Sequence, residues 1–356
     1  SENSLSVVGS QASSLSSVGI GQLFGSPFNA DKKLIAFSDS VQDASHRAGF
    51  FTARSYAFNL RAAVAQFAHT VAPTESLSLS DMYRRFSDHW LRELKELGFI
   101  STFLPADMHW LHSYDELVKT GKLPPDGDLL DKTTRRLDWE LYREFTFRSR
   151  VGRTLERSNL LNFEVPPAHY AEVISHLLQT LPEEFPQLGK QLTTASLNRF
   201  VRGLLWHMKC KGAVYHNAIE TVFAAPLKFG IYIHQRKGRG PLFLPRHLGH
   251  VGPVPLSDRN SDFDAVKLQR GMSYVAWLAQ KLLYLPDDAE NLLALHEWEG
   301  TVSAILEALT RAGILKVWHH NNSRLWAIDP EQLFLQQALI AIRCHLCHHT
   351  LNVPTD

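Results

Sequence analysis

The amino-acid sequence predicts a mainly α-helical chain with small β elements, an α+β fold, and three observations carry that reading. Apolar residues recur at helical spacing in most segments, as in the stripe Phe50, Ala53, Ala57, Leu60, Val64 and Phe67. Only a few short apolar runs, such as Lys33-Leu-Ile-Ala-Phe37, read as strands. Near the C-terminus, a group of short helical patterns is followed by two strand patterns joined by a polar turn. With 356 residues, 44% hydrophobic and 21% charged, the chain has the composition of ordinary globular domains and room for two or three of them.

Taken in order, Ser1 to Gly25 reads as a serine- and glycine-rich loop leading into a helix that ends near Ser26-Pro27. The strand Lys33–Phe37 stops at Ser38-Asp39-Ser40, whose side-chain oxygens suit the cap of a helix from about Val41 to Ala68, with a break near Thr52-Ala-Arg54. Helices are predicted over Leu77–Gly98, Met108–Lys119, Asp138–Arg148, Gly152–Leu161 and Ala168–Leu181, with Lys122-Leu-Pro-Pro-Asp-Gly127 as a break. A helix over Thr194–Lys209, ended by Lys211-Gly212, is followed by a short helix Ala218–Phe223, a strand Pro226–His234, and a basic glycine-rich loop from Arg236 to Pro241. Next come Leu242-Phe-Leu244 and a proline-rich passage through Pro255.

The last unit is predicted as helices over Ser273–Tyr284, Asp287–His296 and Thr301–Ala312, then strands Ile314–Trp318 and Arg324–Ile328 around His319-His-Asn-Asn322. Three helices followed by a two-stranded wing is the order of a winged helix, with Asp287 and Thr301 as helix caps. The outward face of its third helix (Thr301, Ser303, Glu307, Thr310, Arg311) is poor in groups that hold phosphate or guanine, which favours a packing role.

Charge is distributed unevenly. Net charge is +1, but residues 191–250 carry nine basic residues against Glu220 alone, so this segment is +8 and the remainder −7. Such a belt can neutralise phosphates and would bind with an affinity that salt weakens. Arg199, Arg202 and Lys209 share the polar side of one predicted helix, with Lys211, Arg236, Lys237 and Arg239 just beyond. A smaller excess, net +3, runs from Asp131 to Arg157. A solvated face, or a site for an acidic partner, is the alternative reading of both.

Three cysteines cannot build a disulfide framework, which points to a reducing, cytoplasmic setting. Cys344 and Cys347 have the two-residue spacing of half a tetrahedral zinc site. The remaining ligands would lie beyond Asp356 or come from a histidine; the other reading is no metal. Ser1 in place of Met, and an end nine residues after Cys347, lead us to expect a piece of a larger protein. No run is long and apolar enough for a membrane span. The motifs His-Glu-x-x-His, Gly-x-Ser-x-Gly and Gly-x-x-x-x-Gly-Lys-Ser/Thr are absent, as is an Asp-Glu-x-His run, so this stretch alone is not expected to hydrolyse ATP and no catalytic residue is assigned.

The run from Lys33 to Phe51, with Ser38-Asp39-Ser40-Val41-Gln42-Asp43-Ala44 at its centre, resembles the opening of the second motor domain of large DEAD/DEAH-box superfamily 2 helicases. It is most similar to the branch with a cysteine-rich C-terminal region that includes MrfA-like repair helicases. Val41 stands where that family carries arginine. Leu137 to Glu156 also looks like a segment of this branch. The resemblance implies an ATP-driven DNA translocase, of which this chain holds the RecA-like start of motor domain two (1–75), a helical insertion (76–190), a basic winged-helix-like region (191–260), a winged helix (261–335) and the start of a cysteine cluster (336–356). ATP and Mg would then be bound by the parent protein and not by this fragment. The remaining motor domains would be its partners, together with DNA, single-stranded or at a duplex junction.

Within that frame Ser38 and Ser40, with the amides opening the next helix, suit a phosphate of a tracking strand, with Gln42 and Arg47 on the first two turns in support. The plainer reading is that the serines only cap the helix. The competing function is a protein-interaction or scaffolding module whose winged helices pack against partners.

Overall fold

The computed structural model describes residues 41–71 (side chains from 56), 76–125, 128–146, 154–156, 160–189, 192–210, 212–216, 256–257, 264–265, 292–320, 323–336, 340–343 and 350–353. Among these the chain is mostly helical with small, mainly antiparallel β elements, the expected α+β class. The elements expected before Val41, over Ala218–Phe223, Pro226–His234 and Ser273–Tyr284 lie outside the described residues.

The chain divides into two compact units, residues 1–69 with 88–137, and residues 70–87 with 138–356. Helix α1 (Val41–Val71) runs without the break expected at Thr52-Ala-Arg54. Helix α2 (Leu79–Phe103) opens on a reciprocal cap: Ser78 Oγ accepts from the Asp81 amide at 3.0 Å, and the Asp81 carboxylate accepts from the Ser78 amide at 3.3 Å. Lys95 interrupts α2 with φ 58° and ψ 171°, a backbone region that glycine ordinarily occupies.

The single helix expected over Met108–Lys119 is two pieces, a 3-10 turn at Ala106–Met108 and α3 (His112–Thr120). Gly121, at φ 67°, closes α3 by donating its amide to the Leu117 carbonyl at 2.8 Å. Helix α4 (Asp128–Thr146) starts ten residues before the expected Asp138. Asp128 and Asp131 in its first turn complement the positive helix end, and Lys132 and Arg135 sit one turn on as ion-pair partners.

In the first unit, Leu60, Val64, Phe67, Phe99, Phe103, Met108, Leu117 and Leu129 are buried. Phe99 and Phe103 have ring centroids 5.1 Å apart, and Phe67 lies 5.2 Å from His89. Arg136, 5% exposed, reaches Asp107 at 3.0 Å. Of the arginines of the smaller basic excess, Arg136 is thus committed inside the fold, Arg143 pairs with half-buried Glu140, and Arg135 pairs with Asp131 at the surface.

In the second unit the helix expected over Gly152–Leu161 is absent where described: Thr154–Glu156 is coil and turn, residues 160–161 are non-helical, and strand β1 (Asn162–Glu164) follows. Helices α5 (Pro167–Glu184), α6 (Pro186–Gly189) and α7 (Thr194–Cys210) follow, then short strands β2 (Leu256–Ser257) and β3 (Asp264–Ala265). Among the described residues a single helix α8 (Leu292–Arg311) runs through the boundary expected between the helices Asp287–His296 and Thr301–Ala312, while Asp287 lies outside the described residues. Thr301 is fully buried in mid-helix, where its hydroxyl donates to the Glu297 carbonyl at 2.7 Å, so it is not a cap. Gly300 allows α8 to lie against Phe185: a Cβ there would stand 2.3 Å from the ring.

The hairpin β4 (Leu315–His320) and β5 (Ser323–Ile328) follows α8 after Gly313, and β5 also pairs antiparallel with β2, giving the order β3-β2-β5-β4. Strand β6 (Phe334–Gln336) pairs antiparallel with β1, placing Phe163 opposite Leu335, and bridges Ser78 on its own account. Strands β7 (Ile340–Arg343) and β8 (Thr350–Val353) form a separate antiparallel pair. Helix α5 packs against both α7 and α8, and α7 against β5. Phe163, Tyr170, Ile174, Leu177, Leu197, Phe200, Val201, Leu204, Ile305, Leu309 and Ile328 form the buried centre of this unit.

Candidate nucleic-acid interface

Helix α7 carries the part of the positive belt that the structure describes. Its start is fixed by a second reciprocal cap, in which Thr193 Oγ1 accepts from the Ser196 amide at 3.1 Å and Ser196 Oγ accepts from the Thr193 amide at 2.9 Å. Its end is fixed by Gly212, at φ 80°, with the Ala213 amide donating to the Met208 carbonyl at 2.8 Å. Between these caps, Leu197, Phe200, Val201, Leu204, Leu205 and Met208 turn inward. The opposite face carries Arg199 and Arg202, both exposed.

Positions 199, 202, 203 and 206 recur at three and four residues, so Arg199, Arg202, Gly203 and half-buried Trp206 line one side of the helix. That side opens on a cavity of about 400 Å³, lined also by Phe163, Glu164, Val165, Leu205, Lys209 and Leu333. Strand β1 and Leu333, which immediately precedes its partner strand β6, bring the last wall into place from distant parts of the chain. Arg202 is held at the mouth by Glu164 at 3.0 Å, with the arginine side chain 65% exposed.

The structure places the predicted residues in three different settings. Arg199 and Arg202 are together at the cavity mouth. Lys209 is 2% exposed: its ammonium donates to Asn162 Oδ1 at 2.9 Å and to the Phe163 carbonyl, and pairs with Glu156 at 3.2 Å. It ties β1 to α7 from inside, and has no surface to offer a strand. Gln42 and Arg47 lie in α1, within its first two turns, without described side chains. Ser38, Ser40, Lys211, Arg236, Lys237, Arg239, Cys344 and Cys347 lie outside the described residues, although β7 and β8 flank the two cysteines in sequence. Sequence reasoning passed over Trp206 and Glu164. The signal for Trp206 was its spacing of four from Arg202; Glu164 had none, because its strand pairs with a partner 170 positions away, Phe334.

A second polar cluster lies in the same unit. His216 is ringed by Tyr83, Trp139 and Tyr142, with centroids 5.5, 6.1 and 5.1 Å away. Burial holds its pKa down to about 4, and burial pushes Asp138 up to about 6. The Tyr142 hydroxyl donates to the Gly212 carbonyl at 2.5 Å, which ties this cluster to the end of α7. The three rings pack around the imidazole, and their burial of it disfavours its charged form.

Among the described residues no group of three or more His, Cys, Asp or Glu is placed to hold a metal ion, and no helix is long and apolar enough to cross a membrane. In comparisons with known proteins, no family model, no curated protein and no solved structure matches the chain.

Proposed function

We propose that the chain is a non-catalytic part of an ATP-dependent DNA helicase or translocase, and that it contributes contacts to nucleic acid through the exposed face of α7. The observation that carries this reading is the convergence of Arg199, Arg202 and Trp206 on one mouth of an apolar-walled cavity. Cations that neutralise phosphate beside an aromatic ring are the two ingredients of a single-strand contact. Supporting it are the excess of eight positive charges over residues 191–250 and the likeness of Lys33–Phe51 to the start of a second motor domain. The helix–hairpin order of α8, β4 and β5 is compatible with a winged helix, and Arg324 on the hairpin forms an exposed ion pair with Glu307 of α8 at 3.0 Å.

In this reading ATP and Mg belong to the parent protein, and Cys344 and Cys347 supply half of a zinc site completed downstream. Titration of the chain with single- and double-stranded DNA over a range of salt tests it. We expect binding at low salt that weakens steeply as salt rises, and near-complete loss when Arg199, Arg202, Arg236, Lys237 and Arg239 are all replaced by alanine. Absence of binding at low salt, or binding without a salt slope, would instead favour a scaffolding module.

A further inference from the structure

We propose that the cavity beside α7 receives one unstacked nucleobase of a single strand, with Trp206 as its stacking partner and Arg199 and Arg202 holding the phosphates next to it. This rests on the reading of the chain as a nucleic-acid-binding fragment and assigns the place where a strand is gripped.

Three features support a base. The volume, about 400 Å³, is at the small end of ligand pockets, sufficient for a flat ring system and far too small for a helix or duplex. The walls are apolar where a ring would lie, from Phe163, Val165, Leu205 and Leu333, with Trp206 half-exposed beside them. The charged residues of the lining are three cations against Glu164 alone, and the two exposed cations are at the rim, three residues or about 4.5 Å apart along the helix axis.

Glu164 is compatible with this arrangement. It accepts from Asn162 Nδ2 at 2.8 Å and from Arg202 at 3.0 Å, so it holds Arg202 in place before a strand arrives. An exposed ion pair of that kind is weak, and the guanidinium can exchange or share its partner with a phosphate at little cost. Lys209, bonded to Asn162 and the Phe163 carbonyl, fixes β1 and therefore the wall that carries Phe163.

The test uses the full chain and two oligonucleotides of equal length and charge, oligo-thymidine and the same strand with abasic residues at its centre. Stacking of one base on an aromatic side chain corresponds to about 5- to 150-fold in affinity. Native protein should prefer the complete strand by a factor in that range. Trp206→Leu should lose the preference while keeping the salt slope, and Trp206→Phe, which retains a ring, should restore most of it; circular dichroism confirms that each variant is folded.

Equal binding of the two strands by native protein, or a preference that persists in Trp206→Leu, would overturn the assignment and leave the wider nucleic-acid reading intact. No binding of either strand at low salt would overturn both. Competition by thymidine monophosphate at micromolar concentration would assign the cavity to a free nucleotide and so contradict the strand proposal.

Discussion

At the scale of single residues, the buried ionisable groups divide into those that hold the fold and those that strain it. Lys209 belongs to the first kind. Removing one partner of a buried ion pair costs about 3–5 kcal/mol, because the other charge is left without compensation. Lys209→Met should therefore lower stability by about 3 kcal/mol in urea unfolding by detaching Glu156, Asn162 and the Phe163 carbonyl; a loss under about 1 kcal/mol would contradict its role. His216 and Asp138 belong to the second kind, and their pH effects oppose each other. Between about 4 and 6.5 the unfolded chain protonates His216 more readily than the folded one, so stability is lost as pH falls through that window. Between 3.8 and about 6 the folded chain holds the Asp138 proton more readily, so stability is lost as pH rises through that window. Each swing is on the order of 3 kcal/mol. Asp138→Asn should consequently become steeply less stable towards acid, and His216→Phe less stable from pH 4 to 6. Unfolding curves at pH 4.5 and 6.5 decide this, and parallel pH profiles for native protein and both variants would refute it.

At the scale of elements, α8 is held against α5 by the absence of a side chain. Because a Cβ at Gly300 would stand 2.3 Å from the Phe185 ring, Gly300→Ala should destabilise by about 1–3 kcal/mol despite the higher helix propensity of alanine. A stabilised variant would show that the Phe185 ring yields to the added methyl rather than fixing α8. The same position explains what the sequence made legible and what it did not. Glycine before Thr301 looked like a break with a cap, and local pattern cannot distinguish a break from a place where another ring must pass. The end of α7 was legible because Lys211-Gly212 is a local stop signal, whereas its Thr193–Ser196 cap was seen only in the structure. Strands β1 and β6 were not legible, since each has three residues and its pairing partner lies far off in sequence. The early start of α4 was hidden by its charge: Asp128, Asp131, Lys132 and Arg135 read as a polar run, but they are successive rungs on one helix face.

At the scale of the whole molecule, the positive belt of residues 191–250 is only partly a surface. Lys209 is consumed inside the second unit, whereas Arg199 and Arg202 stand at a cavity mouth with Trp206. The proposed role in gripping a strand therefore depends on two arginines more than on the total charge that first drew attention to the segment. Each phosphate contact on a single strand contributes about 0.7 to the slope of log affinity against log salt. The direct measurement is that slope for oligo-thymidine with native protein and with the Arg199→Ala, Arg202→Ala double variant. The account predicts weaker binding and a slope shallower by about 1.4; an unchanged slope with unchanged affinity would contradict it.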